Sequence, residues 1–245
     1  MHHEIFLTAV VKDADIPVAM AVLGGMTEMR EQRQFTRVRY LQRDAAVKGL
    51  PTIKEIQKEK VPTTAQYTEL HQILLKQSYL LQERVNITDD LRPAESAEVP
   101  AEKPRLLRWS DLPDPATTRT SAFTTQRRML EISDRRVEKV LADNKFTTKD
   151  ETIELSYQWW LNGVEYALVS IFRVPVDPEA PNKIPALPDL KPFAPIWMLY
   201  VRVQIESNHE RMQQAYVQLQ QAQKDLVGLF EFKVFDRRVH DTRIM

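Results

Sequence analysis

Thr152-Ile153-Glu154-Leu155-Ser156-Tyr157-Gln158-Trp159-Trp160-Leu161-Asn162-Gly163-Val164-Glu165-Tyr166-Ala167-Leu168-Val169-Ser170-Ile171-Phe172-Arg173-Val174 is the stretch from which the fold is read. Two runs rich in β-branched and aromatic residues flank Asn-Gly, the dipeptide that adopts positive φ most cheaply, so 152–161 and 164–174 are predicted to form a β-hairpin. Side chains alternate along a strand. Tyr157 therefore joins Trp159 on one face, while Ser156 and Gln158 make the other face polar. Trp160 falls on that wetter face, and an aromatic there is a candidate partner-binding residue, because aromatics anchor interfaces.

C-terminal to the hairpin, residues 175–195 carry seven prolines. Few backbone donors remain, so the segment is expected to be an extended loop or arm. Ile196 to Ile205 is apolar at nearly every position and reads as a strand covered on both faces. Trp197 shares a face with Leu199, Val201, Val203 and Ile205 and is the second candidate partner-binding residue. Ser207-Asn208-His209-Glu210 reads as a capping box opening a helix that groups Met212, Tyr216, Leu219 and Leu226. Gly228 closes that helix, and Phe230 to Phe235 is expected to be the last strand.

N-terminal to the hairpin, Glu4 to Val11 alternates and reads as the first strand. Asp15 and Pro17 open a helix with Val18, Val22 and Met26 on one face, ended by Gly24-Gly25. From Arg33 the period becomes two, with Arg33, Phe35, Arg37 and Arg39 opposite Gln34, Thr36, Val38 and Tyr40. Residues 44–62 read as an irregular connection. Thr63-Thr64-Ala65-Gln66 is a capping box, and Tyr67, Leu70, Leu74, Leu81 and Val85 keep helical spacing, which predicts a helix over 63–85. Residues 86–104 read as a polar, Pro-containing loop. Leu106 to Trp109 is a short strand, Ala122 to Ile132 a longer one, and Ser133-Asp134 caps a helix that buries Val137, Val140 and Leu141.

The order of elements lacks βαβ alternation. It predicts a single α+β domain over 1–245 around an antiparallel sheet of about eight strands, a number that can close into a barrel and so remove exposed edges, with an insert at about 44–104 and a proline-rich arm at about 175–195. Hydrophobic residues make up 43% of the 245, enough for a sizeable core. Lys and Arg total 34 against 34 Asp and Glu, which gives no long-range field toward nucleic acid or anionic membrane. Cysteine is absent, which removes disulfides and thiolate chemistry. No apolar run approaches the ~20 residues of a membrane span, and the first residues lack a secretory pattern. The placement expected from this is cytosol or nucleus. Only five glycines are present, and neither a dinucleotide-binding G-x-G-x-x-G nor a P-loop occurs.

The run His3-Glu4-Ile5-Phe6-Leu7-Thr8-Ala9-Val10-Val11, the helix after it and the strand Arg33 to Gln42 resemble the opening of the fungal family of subunit 18 of the Mediator head module. Phe230-Glu231-Phe232-Lys233-Val234-Phe235-Asp236-Arg237-Arg238 resembles that family's ending. Leu106 to Trp109, the strand at 122–132 and the unit 134–174 follow in the family's order. The resemblance implies a large antiparallel β-barrel flanked by a few helices, similar to tunnel-type RNA triphosphatases. It implies a non-catalytic, nuclear role in RNA polymerase II transcription. The implied partners are subunit 20, a sister barrel, the C-terminal helix of subunit 8, and the polymerase through the assembled head.

The barrel likeness makes a metal-dependent RNA 5′-triphosphatase, or an RNA- or phosphate-binding barrel, the alternative function. Such a hydrolase needs clustered carboxylates for a divalent ion, and on a strand that means Glu-x-Glu. Glu4 is followed by Ile5-Phe6, so Phe6 stands where the second carboxylate belongs. Glu151 and Glu154 are three apart and face opposite ways, and Gln204-Ile205-Glu206 offers one carboxylate. His2, His3, His71, His209 and His240 form no ligand spacing, and no serine sits in a G-x-S-x-G context. Arg37, Arg39, Arg127, Arg128, Arg135, Arg136 and Lys139 are candidates for lining a barrel interior, although Arg127 and Arg128 point to opposite faces of one strand. No catalytic, cofactor-binding or metal-binding residue is expected, and no cofactor.

Overall fold

Asn162 and Gly163 both take positive φ (52° and 80°) and turn the chain between β6 (Thr147–Leu161) and β7 (Val164–Arg173). The ladder runs antiparallel from Leu161↔Val164 to Thr152↔Arg173. The computed structural model describes residues 2–44, 46–59, 61–76, 81–89, 103–114, 123–174 and 190–236. Its other strands are β1 (His2–Lys12), β2 (Gln32–Gln42), β3 (Leu81–Asn86), β4 (Arg105–Ser110), β5 (Thr125–Asp134), β8 (Lys191–Pro192) and β9 (Ile196–Glu206). In the order β6-β2-β3-β4-β5-β1-β9-β7 they pair antiparallel, and the β6–β7 hairpin joins the two ends of that row. The result is the antiparallel barrel predicted from the sequence. Eight strands close on themselves and leave no long free edge among the described residues. β8 is a two-residue addition to β7.

The apolar core lies outside the barrel wall. Ile5, Leu7 and Ala9 of β1, Leu199, Val201 and Val203 of β9, and Trp159 of β6 are buried beneath α1 (Ile16–Thr27) and α5 (His209–Asp225). On another side, α2 (Ile53–Lys58), α3 (Thr64–Lys76) and α4 (Val137–Asp143) bury Ile56, Tyr67, Leu70, Leu74 and Val140 against Leu107, Trp109, Leu130 and Ile132. A smaller cluster joins Phe35, Val85, Ile153 and Leu155 to Ile87 and Leu190. Because strand residues alternate, an apolar outer face leaves the polar set pointing inward.

Several local expectations are corrected. The helix expected over 63–85 ends at Lys76, and Leu81–Asn86 is a strand between β2 and β4. Leu81 and Val85 are four apart and fit either period, and the sheet decides for period two. The irregular stretch 44–62 contains α2. In α1 the buried positions are Ala19, Leu23 and Thr27, one residue on from the expected face, and Val18 is 65% exposed. Gly24 and Gly25 lie inside that helix, which ends at Glu28 with φ 54°. The cap of α5 is Asn208, whose side chain accepts from the backbone N–H of Glu210 (2.9 Å) and Arg211 (3.3 Å). The expected strand Phe230–Phe235 reduces to one bridge, Ala9↔Phe232, with Lys233 N–H donating to the Thr8 carbonyl (2.9 Å). Most of the proline-rich arm (175–189) and most of the loop 86–104 (90–102) lie outside the described residues.

Gly49 has φ +66°, and a Cβ added there would stand 2.6 Å from Cε1 of His71. The same ring accepts the Leu50 N–H through Nδ1 at 2.7 Å. Gly49→Ala is therefore expected to cost about 1–3 kcal/mol, read as a lower urea midpoint at unchanged slope. Gly25, inside α1 with nothing near its Cα face, should behave oppositely, and Gly25→Ala should gain about 0.5–1 kcal/mol.

Candidate functional site: the barrel lumen and its mouth

The inward faces of the strands enclose a polar cavity of about 430 Å³. Arg84, Arg108, Arg127, Arg202, Tyr40 and Tyr200 line it. None of these arginines stands without a carboxylate. Arg127 Nε lies 2.6 Å from Glu4 Oε2. Arg202 binds Glu165 through two parallel hydrogen bonds, 2.9 and 2.7 Å. Arg108 Nε donates to Glu131 at 2.6 Å. Arg84 binds both oxygens of Glu154, one of them at 3.1 Å.

Three of these pairs are direct ladder partners: Glu4↔Arg127, Glu165↔Arg202 and Arg108↔Glu131. The fourth reaches across β2, where Arg84 is opposite Val38 and Glu154 opposite Thr36. Ladder geometry thus brings each charge to its partner without a loop having to place it.

The fields follow from this crowding. Burial alone would raise the carboxyl of Glu4, but Arg127, Arg202 and Arg108 hold it at about 2. Burial, with Glu154 nearby, pushes the Tyr40 phenol up to about 12. Arg108 falls to about 10, first from burial and then from the neighbouring Arg84 guanidinium. Glu154 and Glu165 have both oxygens engaged by arginine, and Glu4 and Glu131 have one each.

This arrangement is a poor cation site. No group of three or more His, Asp or Glu suited to a metal ion occurs among the described residues. Phe6 occupies the inward position two residues from Glu4, and its ring lies 5.3 Å beneath the Arg127 guanidinium and 6.0 Å from Tyr200. Glu151 and Glu154 do face opposite ways: Glu154 meets Arg84 inside, whereas Glu151 meets Arg37 (2.7 Å) on the outer face. Arg37 and Arg39 are thereby corrected from interior candidates to outer-face residues, since β2 turns Gln34, Thr36 and Tyr40 inward. Arg127 and Arg128 part as expected, to Glu4 inside and Asp111 outside. Arg136 lies away from the lumen and binds Asp134 and Glu59.

Trp160 is ladder partner to Glu165 and shares the inward face of Ser156 and Gln158, with 37% of its surface exposed near the hairpin end. Trp197 lies on the outer face, half-buried. Its ring stacks on Tyr157 (5.6 Å, 26°), and its Nε1 donates to Asp13 Oδ1 at 2.8 Å. The lumen network itself escaped the sequence reading. Its members are separated by up to 123 residues in Glu4 and Arg127. The available signal was an Arg or Glu at the polar, alternate positions of each strand.

The family model described as Med18 protein matches residues 3–243. No curated protein matches the chain. Among solved structures, the chain is similar to one in the Schizosaccharomyces pombe Mediator head module, at 14% identity and a TM-score of 0.66, over 94% of this chain and 98% of that one. A Hippeastrum protein described as a putative adenylyl cyclase, HpAC1, with a dominant triphosphatase activity matches at 10% identity and TM-score 0.47, over 98% and 94%. The PH1819 protein of Pyrococcus horikoshii OT3 matches at 11% and 0.46, over 95% and 94%.

Glu4 sets a pH prediction. Its folded value of about 2 lies below the ordinary 4.5, so its stabilising contribution is present above the unfolded value and is lost as pH falls through the folded one. Glu4→Gln should cost about 3–5 kcal/mol at neutral pH by leaving Arg127 unpaired. It should also flatten the fall in stability between about pH 5 and pH 2, measured by urea unfolding at stepped pH.

Proposed function

The chain belongs to the Med18 family, and from that premise we propose that it is a non-catalytic subunit of the Mediator coactivator. It acts in the head module in the nucleus, scaffolding a heterodimer and helping to regulate initiation by RNA polymerase II. The family match over residues 3–243 carries this reading. The fold likeness to a chain of the S. pombe head module accords with it. The lumen supports the non-catalytic part by its chemistry: its glutamates are neutralised by arginine, and Phe6 takes the place of a second carboxylate. The metal-dependent phosphohydrolase reading draws no support from that arrangement.

The partners proposed are subunit 20, as a sister barrel, and the C-terminal helix of subunit 8, with the polymerase engaged through the assembled head. Trp160 is the stronger anchor for a partner, because more than a third of its surface is exposed near the hairpin turn. Trp197 already serves the fold through Tyr157 and Asp13, so a partner touching it would meet a ring that is held in place.

Co-expression with candidate subunit 20 and the C-terminal segment of subunit 8 should give one 1:1:1 species by size-exclusion chromatography with light scattering. A soluble monomer that ignores both partners would overturn the proposal. Trp160→Ala should weaken assembly by about 2 kcal/mol, roughly thirtyfold, with the unfolding midpoint nearly unchanged. Trp197→Ala should instead lower the midpoint before it affects assembly.

A further inference from the structure

The lumen holds more hydrogen-bond donors than its carboxylates use. A guanidinium has five N–H donors and no acceptor. Arg127 reaches Glu4 through Nε alone, and both its Nη atoms make no hydrogen bond. Arg108 places Nε and Nη2 on a single oxygen of Glu131, at 2.6 and 2.5 Å, which leaves Nη1 unused. Arg202 gives Nε and Nη2 to Glu165. Its Nη1 lies 3.5 Å from Glu4 Oε1 without making a hydrogen bond.

These three guanidiniums share one cavity and one buried neighbour. Arg127, Arg202 and Arg108 are the cations that act on buried Glu4, and all three line the same cavity. Their free nitrogens open onto the cavity, because none is a buried atom lacking a partner. On the acceptor side, Glu4 Oε1 is, among the described residues, the one lumen carboxylate oxygen without a hydrogen bond that is also sealed from solvent, and it forms the negative edge of the site. What remains for a ligand is a set of cationic donors from three strands. An acceptor-rich, negatively charged group complements such a set most strongly.

We propose that the lumen binds a small tetrahedral oxyanion, phosphate or sulfate, held by Arg108, Arg127 and Arg202. The depressed value of Arg108, caused by burial and by Arg84 beside it, agrees with a place where a bound anion relieves repulsion between guanidiniums. The cavity of about 430 Å³ admits such an ion with water around it. A free ion and the terminal phosphate of an RNA present the same chemistry to these donors. The inference does not depend on the assembly reading, since subunits of either kind can hold an ion inside the barrel.

The test uses the full chain, alone or in its complex with partners. Inorganic phosphate is titrated against chloride at equal ionic strength, followed by calorimetry and thermal unfolding. Phosphate should raise the midpoint above the chloride control. Arg108→Gln should weaken binding by roughly tenfold or more, whereas Arg128→Gln, on the outer face, should leave it unchanged. Arg108 is the variant of choice because its partner Glu131 is 26% exposed and tolerates the loss. If Arg108→Gln fails to fold by circular dichroism, phosphorus-31 line broadening on the wild-type chain decides the matter. A wild-type chain that shows no preference for phosphate over chloride overturns the proposal, as does equal binding by the Arg108→Gln variant. Competition by a 5′-phosphorylated oligoribonucleotide but not by its 5′-hydroxyl form assigns the site to a terminal phosphate. Competition by neither assigns it to a free ion. Equal competition by both overturns it, because backbone binding elsewhere would explain the result.

Discussion

A guanidinium cannot leave bulk water without an acceptor, and this constraint organises the barrel. Closing eight strands traps one face of every strand inside. In this chain that face carries Arg84, Arg108, Arg127 and Arg202. Each has a glutamate within hydrogen-bonding range, and three of the four glutamates stand directly opposite in the ladder. Ion pairs of this kind add little net stability against an apolar filling, because desolvation offsets most of the Coulomb attraction. Their larger consequence is register. A one-residue slip of β1 against β5 would turn Glu4 outward and leave Arg127 alone in the lumen.

The same constraint explains why the apolar core lies outside. With the interior given to charge, apolar residues such as Leu7, Leu199, Val201 and Trp159 face outward and must be covered from that side. The helices supply the cover, α1 and α5 over one part of the wall, α2, α3 and α4 over another. The segment after α5 continues it, where Lys233 binds Thr8 and Phe232 is buried beside Ala9. A barrel built this way presents its outer helices and its rims, while the inside is held by ion pairs.

Chemistry and architecture meet at Phe6 and Glu4. A carboxylate at position 6 would put two acidic groups on one inward face, next to Arg127. The aromatic ring there instead packs under the guanidinium, so the single glutamate on that face is paired with arginine and no second carboxylate stands beside it to hold a divalent ion. The donors left over point toward anions. A polar lumen of this composition is thus compatible with a structural subunit and with occupation by a small oxyanion.

The sequence by itself determined the hairpin at Asn162-Gly163, the antiparallel α+β class, the split of Arg127 from Arg128 and of Glu151 from Glu154, and the absence of a paired carboxylate at Glu4. All of these follow from local rules, positive φ at a turn and alternation along a strand. Only the tertiary structure decided which alternate face is the inner one. Arg37 and Arg39 look as suited to a lumen as Arg84 or Arg202, and it is the packing of Phe35 and Val85 on the outer wall that sends them outside. The strand at Leu81–Asn86 was hidden because Leu81 and Val85 satisfy helical and extended spacing alike, and its neighbours β2 and β4 settle the choice. The ion-pair network was invisible for the same reason: periodicity says which residues share a face, whereas closure of the sheet says which faces meet.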